Sequence, residues 1–243
     1  MPHSEENILI DLRPGAHSYE GQKATFITSG QQLTISHGSF LENVETGSGS
    51  DFIIGNDLSN VISSGAGNDE IFGGNGTDTI FPGSGNNVID LSEDDNYQDT
   101  IIIDNSKSND EFDILYGFTQ GVSGDIINIE NLGLPELTFL PVVDVDNVPN
   151  GYINNCLVRI IGPNLSNSTT LGSYFESGGV LENLSLSNGA DAILVTANSE
   201  NTGEIQNIFS FTHKSDIIDI SHIMQLVGNY LDIDGWSSEN FIV

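Results

Sequence analysis

Residues 46–90 read TGSGSDFII, GNDLSNVIS, SGAGNDEIF, GGNGTDTIF and PGSGNNVID, which are five successive nine-residue units without an insertion. The eighth place of every unit is isoleucine: Ile53, Ile62, Ile71, Ile80 and Ile89. The sixth place always carries a carboxylate or a carboxamide: Asp51, Asn60, Asp69, Asp78 and Asn87. A nine-residue period in both an apolar and a polar position predicts a solenoid. We therefore expect an all-β protein built on a parallel β-roll.

Each unit is expected to form a tight turn followed by a short strand. Glycine has no Cβ and tolerates positive φ, so the first residues of a unit can turn sharply and bring backbone carbonyls together. With two strands per coil, the turns of units one, three and five stack on one side, and those of units two and four on the other. Asp51, Asp69 and Asn87 then share one ladder, and Asn60 and Asp78 share the other.

The stacked turns predict a metal site of oxygen ligands. Carboxylates and glycine-region carbonyls form a hard cage that suits Ca²⁺ better than Mg²⁺ or Zn²⁺, and we expect several Ca²⁺ ions. The strongest site should lie between the Asp51 and Asp69 turns, whereas units two and five offer only Asn60 and Asn87. The candidate ligands in the repeats are Gly47, Gly49, Asp51, Asn60, Gly65, Gly67, Asp69, Gly74, Gly76, Asp78, Gly83, Gly85 and Asn87.

Two plainer interpretations compete with this one. Glycine-rich segments also occur as flexible linkers, but a linker has no reason to place isoleucine at every eighth position. A solenoid without ions would stack like charges at Asp51, Asp69 and Asp78, which is unfavourable. The calcium-bound solenoid remains the better prediction.

The composition narrows the possible partners. Five Lys and Arg residues against 35 Asp and Glu residues give a formal charge of −30, which opposes compaction unless cations bind. Nucleic acid and anionic membrane surfaces are excluded as ligands because both require basic patches. No apolar run is long enough for a membrane span. The single cysteine, Cys156, excludes an internal disulfide framework, and the start MPHSEENILI does not look like a conventional signal peptide.

Three strings carry a family resemblance: IDLRPGAHS at 10–18, SHGSFLENVETGSGSDFIIGN at 36–56 and SNVISSGAGNDEIFGGNGTDTIF at 59–81. They resemble the C-terminal domain of serralysin-type secreted metallopeptidases, within the RTX superfamily, over about residues 7–130. The resemblance implies a calcium β-roll, a further ligand at Glu42, and a secreted, extracellular protein. The tail at 239–243, ENFIV, resembles the uncleaved C-terminal signal of substrates of the type I secretion apparatus. Its alternative interpretation is an apolar terminal strand.

The chain divides into four expected segments. Residues 1–45 form a β-rich N-terminal cap, 46–104 the calcium β-roll, 105–131 a closing segment, and 132–243 a β-rich C-terminal region. We expect 132–203 to be a β-sandwich or an irregular continuation of the roll, and His222–Val227 to be a helix.

Function is expected to follow from calcium-coupled folding, which would support type I secretion and extracellular stability. The alternative is a carbohydrate- or cell-surface-binding module of an RTX adhesin or an alginate-modifying enzyme, with Trp236, Tyr152 and Tyr174 as possible sugar-stacking residues. An enzyme such as a β-helical polysaccharide lyase is a third hypothesis. The chain has no H-E-x-x-H zinc motif and no G-x-S-x-G elbow, so we predict no catalytic activity.

Overall fold

The computed structural model describes residues 4–21, 32–92, 97–103, 106–108, 111–132, 138–144, 151–153, 156–161, 171, 184–186, 191–197, 205–214, 217–227, 236 and 240–242. The strands before the closing segment are β1 Ile8–Asp11, β2 His17–Glu20, β3 Gln32–Thr34, β4 Asn43–Glu45, β5 Phe52–Ile54, β6 Val61–Ser63, β7 Glu70–Phe72, β8 Thr79–Phe81, β9 Val88–Asp90 and β10 Thr100–Ile102. Those within and after it are β11 Asp113–Tyr116, β12 Ile126–Asn128, β13 Thr138–Asp144, β14 Gly151–Ile153, β15 Cys156–Ile161, β16 Leu184–Leu186, β17 Asp191–Ala197, β18 Ile205–Lys214, β19 Ile217–Val227 and β20 Phe241–Ile242. A short 3-10 helix spans Glu130–Leu132.

From β4 to β12, successive strands alternate between two parallel sheets. The first sheet has the order β13-β15-β17-β18-β19-β11-β9-β7-β5-β1-β2-β3, and the second has the order β20-β12-β10-β8-β6-β4. Each coil of the chain therefore contributes one short strand to each sheet. The prediction of an all-β protein with parallel strands is confirmed. None of the segments that the structure describes forms a helix long and apolar enough to cross a membrane.

The core lies between the two sheets and consists of two rows of side chains in register. The row in the first sheet runs Ile10, Ile53, Ile71, Ile89, Leu115 and Leu226. The row in the second sheet runs Val44, Ile62, Ile80, Ile101, Ile127 and Phe241. The five isoleucines of the repeat have no exposed surface. They are the eighth residues of the sequence period, so the period places one apolar side chain per strand in the interior.

The coil begins before the first nonapeptide. β1 pairs in parallel with β5 and brings Ile10 into register with Ile53. β2 and β3 then extend the sheet by antiparallel pairing. The edge of this sheet at β3 is thereby formed by an antiparallel strand rather than by the nonapeptide repeats.

The C-terminal region returns to the coil. β19 pairs in parallel with β11, and β20 pairs in parallel with β12, so residues from 217 onward add one strand to each sheet. Between these points, β13, β15 and β17 pair in parallel, as do β14 and β16. Within the tail that resembled a secretion signal, Phe241 and Ile242 form β20, and Phe241 is buried. These two residues agree with the interpretation of the tail as a terminal strand, and its role as a secretion signal stays a prediction.

Two expectations for the C-terminal region are wrong. His222–Val227 is not a helix, because it belongs to β19, where Met224 and Leu226 are fully buried and Gln225 between them is half-buried. Trp236 is not available to stack on a sugar, because it is 5% exposed. Its ring lies 5.0 Å from that of Phe241. The side chain of Tyr152 and the whole of Tyr174 lie outside the described residues.

Candidate metal centre

The first ladder consists of polar side chains in the turns just before the strands of the first sheet. The N–H of Asp51 donates to Asp69 Oδ1 at 2.8 Å, and the N–H of Asp69 donates to Asn87 Oδ1 at 2.9 Å. The same contact continues at both ends, from Ile8 N–H to Asp51 Oδ1 at 2.8 Å and from Asn87 N–H to Asp113 Oδ1 at 3.0 Å. One carboxylate or carboxamide oxygen of each residue thus supports the turn of the preceding coil.

The second ladder has the same construction on the opposite side. Asn60 N–H donates to Asp78 Oδ1 at 2.7 Å, and Asp78 N–H donates to Asp99 Oδ1 at 2.7 Å. Asp99 N–H then donates to Asp125 Oδ1 at 2.9 Å. The sequence prediction that Asn60 and Asp78 share a ladder agrees with this geometry.

Sequence reasoning missed three ladder members. Asp99, Asp113 and Asp125 follow their partners at separations of 21, 26 and 26 residues, whereas the repeats keep 18. Because the turns before them are longer, these aspartates do not fall on the nine-residue period. The signal that could have found them is an aspartate two residues before a buried aliphatic side chain, which recurs in all three.

Glycines bring the backbone of one turn against that of the next. Gly65 and Gly67 have φ of +89° and +122°, a region that side chains with a Cβ seldom adopt. A Cβ built on Gly65 would collide with the carbonyl oxygen of Gly47, and one on Gly67 would collide with that of Gly49. The glycine carbonyls therefore face the next turn at close range, as a cage of backbone oxygens requires.

We expect Gly65→Ala to lower the free energy of unfolding by more than about 3 kcal/mol, because it combines positive φ with a backbone collision. Gly38→Ala is a matched control, since Gly38 has φ of +85° and nothing within 4 Å of a built Cβ. It should cost only the backbone strain, about 1 kcal/mol. Urea unfolding of both variants in excess calcium measures the difference. Equal losses would show that the turns do not need close stacking.

Buried carboxylate oxygens in the first ladder form a donor set that suits a cation. Asp51 and Asp69 are each 2% exposed, and among the described residues their Oδ2 atoms accept no hydrogen bond. Burial raises the pKa of Asp69 to about 6, although the N–H of Asp51 and the nearby Ser64 hydroxyl lower it in part. The charges of Asp51 and Asp113 raise it further. Unsatisfied buried anions are costly unless a cation balances them, so this donor set fits Ca²⁺.

The ligands of such a cage must be partly backbone. Within the part of the chain that the structure describes, no three His, Cys, Asp or Glu side chains converge on one point. Two carboxylates of neighbouring turns, together with carbonyls such as Gly49 O, would supply the oxygen set that Ca²⁺ takes.

The asparagines of the ladders satisfy part of the turn themselves. Asn87 Nδ2 donates to the carbonyl of Pro82 at 2.9 Å. Asn60 Nδ2 donates to the carbonyl of Glu42 at 3.2 Å, while the Glu42 residue is exposed. These amide N–H groups point at carbonyl oxygens, which are the atoms that a cation would otherwise contact.

The comparison with protein families identifies the repeat. The RTX calcium-binding nonapeptide repeat matches residues 54–89 in four copies. The chain thus contains RTX repeats, which bind Ca²⁺, and this agrees with the fit of the buried oxygens. No curated protein matches the chain. The matched repeat is non-catalytic in itself, and no catalytic family matches the chain.

Proposed function

We propose that this chain is a calcium-responsive folding module, in which RTX repeats build a parallel β-roll around Ca²⁺ and thereby stabilise a secreted protein. The observation that supports the proposal is the pair of buried carboxylates at Asp51 and Asp69, each with one oxygen that lacks a hydrogen bond within the described part of the chain. The match to the RTX repeat gives the identity of the ion.

The proposed mechanism is coupled binding and folding. Without calcium, stacking Asp51 on Asp69 in a buried turn places like charges together, and the net charge of −30 opposes compaction. The ion supplies the positive charge that lets these turns stack. Each completed turn fixes the following strand in register, so the next isoleucine enters the core. Binding free energy then becomes folding free energy.

The same dependence of folding on calcium would serve secretion. The resemblance to the C-terminal domain of serralysin-type metallopeptidases supports export through a type I apparatus, with folding delayed until calcium is abundant outside the cell. Sites with dissociation constants of about 10⁻⁴ to 10⁻³ M suffice for that purpose. Phe241 of the tail is buried in the folded chain. The tail would therefore be accessible to the apparatus only while the last coil is unfolded, which agrees with export before folding.

A calcium titration followed by far-UV circular dichroism tests this function. We expect the β-sheet signal to increase cooperatively as calcium rises from chelator to millimolar concentration. Mg²⁺ at the same concentration should give little change, because it needs a small octahedral site. A signal that is identical in chelator and in calcium would show that folding is not coupled to the ion.

A further inference from the structure

One of the chain's few cationic side chains lies inside the stack of turns. Lys107 Nζ donates to the carbonyl oxygen of Gly85 at 2.6 Å and to Asp113 Oδ1 at 2.8 Å. The Lys107 side chain is 9% exposed, and that of Asp113 is fully buried. An ammonium group is strongly hydrated, so its removal from water in a chain with five Lys and Arg residues indicates a specific position.

This position corresponds to the one proposed for calcium in the earlier turns. Gly85 stands two residues before Asn87, and Asp113 is the next member of the first ladder. Gly49 bears the same relation to Asp51, and Asp69 is the member that follows Asp51. The pair of Gly85 carbonyl and Asp113 carboxylate is therefore equivalent to the pair of Gly49 carbonyl and Asp69 carboxylate, two coils further along the solenoid.

The charges of the two levels match their cations. The turns of Asp51 and Asp69 contain two carboxylates, which a divalent ion would balance. The level between Asn87 and Asp113 contains one carboxylate and one neutral amide, and a single ammonium balances it. Asp113 Oδ2 accepts no hydrogen bond among the described residues. Burial raises the pKa of Asp113, while the charge and the hydrogen bond of Lys107 lower it.

The segment that carries Lys107 also closes the turn. Glu111 Oε2 accepts hydrogen bonds from the N–H of Gly85 at 3.2 Å and from the N–H of Ser108 at 3.0 Å. Both backbone polar groups of Gly85 are thus bound, the carbonyl by Lys107 and the N–H by Glu111. Lys107 and Glu111 therefore contact the same turn, one through its ammonium and the other through its carboxylate.

We propose that the Lys107 ammonium is a built-in cation that takes the place of Ca²⁺ at the last turn of the first ladder. This inference rests on the proposed function, because it assigns to Lys107 a position that calcium takes elsewhere. Its consequence is that the turn at Gly85 closes at any calcium concentration. The C-terminal end of the ladder then offers a preformed surface on which the calcium-dependent coils stack.

Counting bound ions by native mass spectrometry tests the inference. Lys107→Met keeps the length of the side chain and removes the charge, so we expect it to bind one Ca²⁺ more than the unaltered protein. Its thermal unfolding midpoint should fall in chelator and recover in excess calcium. The double variant Lys107→Met, Asp113→Asn removes both charges and should bind no extra ion. Lys107→Arg keeps a cation and should also add none.

The outcomes separate the two proposals. If the unaltered protein binds no calcium, the proposed function itself is wrong. If the unaltered protein binds calcium but Lys107→Met binds the same number of ions, only the assignment of Lys107 is overturned. A Lys107→Met variant that stays unfolded at saturating calcium also overturns it, because the ion should replace the ammonium. An extra ion in the double variant would place the new site away from Asp113.

Discussion

Replacing Asp69 by asparagine should stabilise the calcium-free protein and destabilise the calcium-loaded one. The carboxamide keeps an oxygen that can accept the N–H of Asp51, as Asp69 Oδ1 does at 2.8 Å. What the variant loses is the buried charge. That charge is unfavourable when no cation is present and is a ligand when one is. A change in stability that has opposite signs with and without calcium distinguishes a calcium ligand from a residue that only supports the turn.

The sign and size of the calcium-free effect follow from the pKa of Asp69. The folded chain raises this pKa from 3.8 to about 6, so the ionised form is disfavoured by folding. Stability is lost as the pH rises toward and through about 6, and at pH 7.5 the full penalty is present. Solvent screening reduces the effect below the full value of the shift, to roughly 1 to 2 kcal/mol. Asp69→Asn removes that penalty in chelator.

In calcium the same substitution removes a charged ligand from the Asp51 and Asp69 turns. We expect the calcium midpoint for folding to rise about tenfold or more, where each factor of ten corresponds to about 1.4 kcal/mol. At pH 7.5, the far-UV circular dichroism signal in chelator and urea unfolding in excess calcium measure the two effects on one variant. Equal losses in the two conditions would contradict the assignment of Asp69 as a ligand.

The neutral ladder positions provide the controls. Asn60→Ala and Asn87→Ala each lose side-chain hydrogen bonds that do not involve an ion, so their losses should be similar with and without calcium. Asn87→Asp is the reciprocal variant of Asp69→Asn. It adds a carboxylate to the first ladder and should weaken the calcium-free protein while it strengthens calcium binding.

The repeat region could be predicted because its contacts are encoded at one short period. The same nine residues contain the turn, the ladder position and the core side chain, so Asp51 and Ile53 already define where Asp69 and Ile71 must lie. Each coil pairs with the next at a separation of 18 residues. The alternation of strands between two sheets and the stacking of Asp69 between Asp51 and Asn87 follow from this period alone.

The C-terminal part of the fold depends on contacts between distant segments, which no local sequence pattern indicates. β19 pairs with β11 across about a hundred residues, and the run HIMQLV is apolar enough to suit either a helix or a strand. The run forms a strand because β11 offers an edge with which it can pair. Trp236 is a similar case, because a single tryptophan in a polar stretch looks exposed until Phe118 and Phe241 pack against it.

Lys107 was overlooked for a different reason. A lysine among serines and acidic residues is usually a solvated side chain, and its sequence neighbours give no indication of burial. Only the stacking of Asp113 under Asn87 shows that the ammonium lies at a turn position. Ladder members that follow longer turns, such as Asp113 and Asp125, were missed together with it.

Truncation of Ile53 should strongly destabilise the core of the repeat. Ile53 has no exposed surface and lies in register between Ile10 and Ile71. Ile53→Ala would leave a cavity in a narrow interior where both neighbouring coils are held by their own short strands. Buried isoleucine-to-alanine changes typically cost about 2 to 5 kcal/mol, and the limited freedom of three-residue strands to collapse favours the upper part of that range.

The adjacent residue provides a matched control, because Ile54 is also an isoleucine in β5 but is half-buried on the other face. Ile54→Ala should cost about 1 kcal/mol or less. Urea unfolding of both variants in excess calcium gives the comparison, and the calcium midpoint should rise only for Ile53→Ala, since loss of one core residue weakens the stacking of Asp51 on Asp69. Similar losses for the two variants would mean that the strands do not alternate between an inner and an outer face. The nine-residue period would then describe the turns without describing the core, and calcium alone would have to hold the coils together.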